Sequence, residues 1–67
     1  MKTILVVDDS LEMLEIITFF IEEKDYVVKS FDNGEQAKQY LLTNKIDAAF
    51  LDFTINLNGL TKKLLNN

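Results

Sequence analysis

The apolar positions of this chain fall into blocks of two kinds. Thr3 to Val7 is a continuous β-branched and aliphatic run with no polar alternation, the pattern of a strand buried on both faces. Leu11 to Lys24 has the length and composition of a helix. Its apolar residues Leu11, Met13, Leu14, Ile16, Ile17, Phe19, Phe20 and Ile21 cover more than one face. Such a helix is buried on most sides, or covers a partner with the surface the domain leaves free. Asp9 or Ser10 precedes it as a candidate N-cap. Tyr26 to Phe31 reads as a second strand, with Lys29 its one charge, and Asp32-Asn33-Gly34 as a turn. Glu35 to Thr43 is a second helix, with Ala37, Tyr40 and Leu41 at i, i+3, i+4 spacing. Ile46 to Leu51 is a third strand that ends on Asp52, Phe53 to Asn58 a loop, and Gly59 to Asn67 at most a short helix.

Strand, helix, strand, helix, strand, short helix is the α/β alternation, which implies a parallel sheet with right-handed crossovers. Sites in open sheets of this kind form beyond the carboxyl ends of the strands. Asp8 and Asp9 stand at the end of the first strand and Asp52 at the end of the third. If those strands are neighbours, three carboxylates converge.

Composition narrows the chemistry. The 67 residues make one small domain, without Cys and without His. Disulfides, thiolate or imidazole metal sites and a histidine general base are therefore excluded. A net charge of −4, with no basic cluster larger than Lys62-Lys63, speaks against nucleic-acid binding. No apolar run approaches the ~20 residues of a membrane span, so a soluble cytoplasmic protein is expected. Two adjacent carboxylates about 4 Å apart repel by ~4 kcal/mol at an effective dielectric of ~20, and something should offset that. An oxygen-bound divalent cation does so, and Mg²⁺ suits a site of one or two carboxylates plus a phosphate oxygen. A carboxylate held beside it can act as a nucleophile toward phosphorus. The plainer readings are that Asp8 and Asp9 only cap the helix behind them, and that Asp52 is a strand-end turn residue.

The stretches ILVVDDS, IEEKDYVV, DNGEQAKQYLL and NKIDAAFLDF, in this order and at these separations, resemble the receiver domains of two-component response regulators. The resemblance covers essentially the whole chain. It implies a flavodoxin-like (CheY-like) α/β fold with strands in the order 2-1-3, truncated after the third strand and a short helix, as one receiver-like domain over residues 1–67. It implies Asp52 as phosphoacceptor, and Mg²⁺ held by Asp8, Asp9, Asp52 and the backbone carbonyl of Thr54. It implies a histidine kinase or phosphotransfer protein as partner, and a phosphorelay role with no enzymatic activity of its own. Asp25 stands where the family has a helix-ending glycine, Ile46 where it has a proline, and Asn56 where it has the proline beyond the phosphoacceptor. The family's switch Ser or Thr and its phosphoryl-pairing Lys belong to strands that this sequence does not contain. That loss predicts an exposed third-strand edge and a homodimer formed through that edge or through the first helix. A phosphorylation-independent dimerising or kinase-binding module, and a receiver fragment without function of its own, are the alternatives.

Overall fold

A computed structural model describes residues 1–52 as a three-stranded parallel sheet with one helix on each face. The elements are β1 (Thr3–Val7), α1 (Leu11–Glu22), β2 (Val27–Phe31), α2 (Gly34–Thr43) and β3 (Ala48–Leu51). The strand order is β2-β1-β3, as the sequence reading requires. Thr3 to Val7 pair in step with Val27 to Phe31, and Ile4 to Val7 with Ala48 to Leu51. The expected short helix over 59–67 and the Thr54 carbonyl lie outside the described residues.

The unbroken apolar run of β1 has its reason in this placement. As the central strand it is covered on both faces, and Ile4, Leu5, Val6 and Val7 are all buried. Leu5 and Val7 pack with Ala37 and Leu41 of α2. Ile4 and Val6 pack with Leu14 of α1, with Ile17, Ile21 and Val28 around them. Each fully buried side chain of this size stabilises the fold by about 1.5–3 kcal/mol, so this one strand supplies much of the core. Flanking strands need less burial: β3 alternates exposed and partly buried positions, and β2 leaves Lys29 and Ser30 exposed between partly buried residues.

The ends of the elements are fixed by short polar contacts. Ser10 caps α1, its Oγ accepting from the Met13 N–H at 3.2 Å. Asn33 caps α2 through the Gln36 N–H at 2.8 Å. Asn44 closes α2 by donating from Nδ2 to the Tyr40 carbonyl at 2.9 Å. The Lys24 and Asp25 N–H groups donate back to the Ile21 and Glu22 carbonyls, so the regular helix stops at Glu22 and the chain turns. The turn is completed by Asp25 at φ 64°, the left-handed conformation.

The third strand begins two residues later than the apolar pattern suggests, because Asp47 is a staple. Its carboxylate accepts from the Thr3 N–H at 2.7 Å while its own N–H donates to the Thr3 carbonyl at 2.8 Å. These bonds set the β1–β3 register at its amino end.

No helix among the described residues is long and apolar enough to cross a membrane. The broad apolar surface of α1 is only partly used. Leu14 is buried, whereas Leu11, Met13, Ile16, Phe19 and Phe20 are exposed.

A non-glycine residue in the left-handed region costs roughly 1 kcal/mol, somewhat less for Asp. Asp25→Gly is therefore expected to raise unfolding free energy by up to ~1 kcal/mol, and Asp25→Val to lower it by ~1 kcal/mol or more. Urea unfolding followed by circular dichroism measures both. A destabilised glycine variant would show that the Asp25 side chain contributes more than its backbone strain costs.

Candidate functional site: an acidic cluster at the strand ends

The site is a product of register. Val7 pairs with Leu51, so the next residue on each strand, Asp8 and Asp52, emerges at the same level of the sheet. Backbone bonds extend the pairing to both: the Asp52 N–H donates to the Val7 carbonyl at 2.9 Å, and the Asp8 N–H to the Phe31 carbonyl at 3.2 Å. Asp9 follows on the turn into α1. One carboxylate oxygen from each of Asp8, Asp9 and Asp52 lies within 4.8 Å of the others. The structure thus brings together the three acidic residues that the sequence singled out.

Their surroundings differ. Asp8 and Asp52 are half-buried, while Asp9 is exposed. Asp8 Oδ1 accepts from the Ser10 N–H at 2.9 Å, which fixes the side chain and commits one of its two oxygens. A cleft of about 260 Å³ lies beside Asp8 and Asp52, walled by Val6, Ile17 and Phe50. One wall of the carboxylate pair is therefore apolar, which lowers the local dielectric and strengthens charge interactions there.

The capping reading of the acidic pair is resolved in favour of Ser10. Ser10 Oγ makes the cap bond. Asp8 supports it from behind, and Asp9 takes no part in it. Sequence reasoning did not anticipate the Asp8–Ser10 contact. The signal was present in the Asp-x-Ser spacing, since Asp side chains commonly accept from the N–H two residues on.

The arrangement has the donor chemistry of a hard-cation site. It offers three carboxylates and no nitrogen or sulfur ligand. At metal–oxygen distances of about 2.0–2.6 Å, one ion spans ~4–5 Å across its shell, which matches the separation of these oxygens. Without a cation, each carboxylate pair at this range repels by ~3–4 kcal/mol at an effective dielectric of ~20. The amino end of α1, with its partial positive charge, offsets part of that for the residues nearest to it.

Comparison with known proteins agrees with the geometry. Response regulator GtcR of Aneurinibacillus migulanus is 38% identical over 69 aligned positions, which cover 97% of this chain and 28% of that protein. The chain therefore spans less than a third of the length of this relative. No solved structure matches the chain significantly. The family model of the response regulator receiver domain matches residues 4–62. With the acidic cluster in place on a β2-β1-β3 parallel sheet, the chain belongs to the response regulator receiver domain family.

Proposed function

We propose that the protein is a phosphoacceptor of a two-component phosphorelay, with Asp52 as the residue that takes the phosphoryl group. The observation that carries this reading is the convergence of Asp52 with Asp8 and Asp9 at the carboxyl ends of adjacent parallel strands. A histidine kinase or phosphotransfer protein is the donor that the family implies. A carboxylate oxygen of Asp52 attacks phosphorus, the phosphorus–nitrogen bond of the phosphohistidine breaks, and the imidazole nitrogen keeps the bonding pair and takes up a proton. Asp8, Asp9 and Asp52, with the Thr54 carbonyl that the family resemblance implies, would hold Mg²⁺, which would supply charge neutralisation on the transferring group.

The chain's own residues have distinct parts in this reading. Asp8 is oriented by Ser10 and keeps one oxygen for the ion. Asp9, exposed, would offer the ion a further carboxylate oxygen. The bond from the Asp52 N–H to the Val7 carbonyl holds the nucleophile at the sheet end. The protein acts as an acceptor, one phosphoryl group per chain, and not as an enzyme. The same reading sets it in the cytoplasm with its phosphodonor.

A second reading rests on a different observation. Phe50, on the outer strand β3, is 54% exposed, and Met13, Ile16 and Phe20 of α1 are exposed as well. Exposed apolar side chains in such number mark an interface. A homodimer through the β3 edge or helix α1, formed independently of phosphorylation, would cover them with self-complementary contacts.

Intact-mass spectrometry after incubation with acetyl phosphate and Mg²⁺ tests the first reading. One phosphoryl adduct is expected, absent in Asp52→Asn. An unmodified protein that is folded by circular dichroism would exclude Asp52 as acceptor. Titration with Mn²⁺ as a paramagnetic probe should broaden the Asp8, Asp9 and Asp52 resonances first. Asp9→Asn is expected to weaken binding at least ~10-fold, since even outer-shell changes at metal sites typically cost that much. Sedimentation equilibrium addresses the second reading. A dimer that Phe50→Glu converts to monomer supports it, and a monomer throughout the micromolar range rules it out.

A further inference from the structure

Helix α1 presents a second apolar surface, on the flank opposite the acidic cleft. Between α1 and β2 lies a groove of about 420 Å³, lined by residues of α1 and by Ser30. Its apolar elements are Leu11, Leu14 and Phe19. Leu14 is buried and forms the floor, while Leu11 and Phe19 are 66% and 60% exposed. They stand eight residues apart, about 12 Å along the helix. Phe19 is held by an edge-to-face contact with Phe20, ring centroids 5.7 Å apart, so one anchor site is ordered in advance.

The groove's charge is of one sign. Glu15 and Glu22 line it, and no basic side chain does. The helix as a whole carries Glu12, Glu15 and Glu22, and no Lys or Arg. An apolar channel with a one-signed rim selects a partner by charge as well as by shape. It disfavours nucleic acid and anionic lipid, and it disfavours an acidic copy of the same surface.

We infer that this groove is a docking site for a basic amphipathic helix of another protein. The helix lies along α1 with two large apolar residues, one near Leu11 and one near Phe19. A separation of seven or eight residues in the partner matches that spacing, because both helices advance at the same rise per residue. Lys or Arg one turn from each anchor meets Glu15 and Glu22. The site is separate from the acidic cluster, so the inference does not depend on phosphorylation of Asp52. Helix-in-groove recognition gives such contacts their specificity through anchor spacing, and the charged rim suppresses wrong partners.

The test uses the full chain and three synthetic helical peptides. The first carries two leucines seven residues apart with lysine one turn from each; the second has glutamate for lysine; the third has the leucines displaced by two positions. Binding is followed by amide chemical shifts and by fluorescence anisotropy of labelled peptide. The first peptide should bind with a Kd of ~10–100 μM, as suits an interface below standard size. Its largest shifts should fall at Leu11, Glu15, Thr18, Phe19, Glu22 and Ser30. Phe19→Ala should weaken it by roughly 30-fold, the effect of truncating an aromatic anchor. Raising salt from 50 to 300 mM should weaken it several-fold. The Glu15→Lys/Glu22→Lys variant should lose the lysine peptide and gain the glutamate peptide, and this exchange also shows that the variant is folded. Three results would each overturn the inference: equal affinity for all three peptides, shifts that map to another surface, or self-association of the chain that Phe19→Ala abolishes.

Discussion

The structure depends on the double-sided burial of β1. A strand with four successive residues out of water must have a layer on each face, and the chain provides α1 for one and α2 for the other. It must also have a strand on each side, since its backbone N–H and C=O groups are buried too. Those requirements place β2 and β3 on either side of β1 and leave no other order for three strands. The acidic site is a by-product of that order. Once β1 and β3 are parallel neighbours with Val7 opposite Leu51, Asp8 and Asp52 share one end of the sheet. The carboxylates of Asp8 and Asp9 are thus carried by the most buried strand among the described residues, although they themselves are charged.

Much of this was legible in the sequence, for identifiable reasons. The limits of β1 are those its hydrophobic run suggests, because burial on both faces leaves no polar interruption to blur them. The convergence of Asp8, Asp9 and Asp52 followed from α/β alternation plus strand order, and strand order came from resemblance, since the apolar pattern alone does not specify which strand lies in the centre. Asp25 was legible as a left-handed residue only because the family has glycine there. The side-chain contact that anchors the amino end of β3 was not legible. The pairing of Asp47 with Thr3 joins residues 44 positions apart, and nothing local marks it. Asp47 lies within the apolar block 46–51, and its bonds to Thr3 are the reason that the third strand starts at Ala48.

Helix α1 shows where periodicity stops being informative. Its apolar residues outnumber what one sheet face can cover, and the pattern does not say which of them reach the core. The structure selects Leu14, Ile17 and Ile21, which follow i, i+3, i+7 spacing, and leaves five large apolar side chains at the surface. Two of these, Leu11 and Phe19, share a groove with glutamates; the others lie elsewhere on the helix. A helix with one face in the core and apolar residues on both flanks can serve more than one contact, and charge distinguishes the flanks.

The link between the acidic cluster and this helix is a single residue. Asp8 belongs to both, with one oxygen on the Ser10 N–H and the carboxylate as a whole facing Asp9 and Asp52. Ser10 in turn caps the first turn of α1 through the Met13 N–H. A cation at the cluster would compete with the Ser10 N–H for the electron density of Asp8, and so would act on the end of α1 directly. The sheet cannot easily take part, because β1 is packed on both faces and densely packed interiors resist small displacements. The β1–α1 turn is therefore the place where charge at the strand ends meets the helix. That turn has only Asp8, Asp9 and Ser10 between a rigid strand and a helix whose exposed flanks face outward.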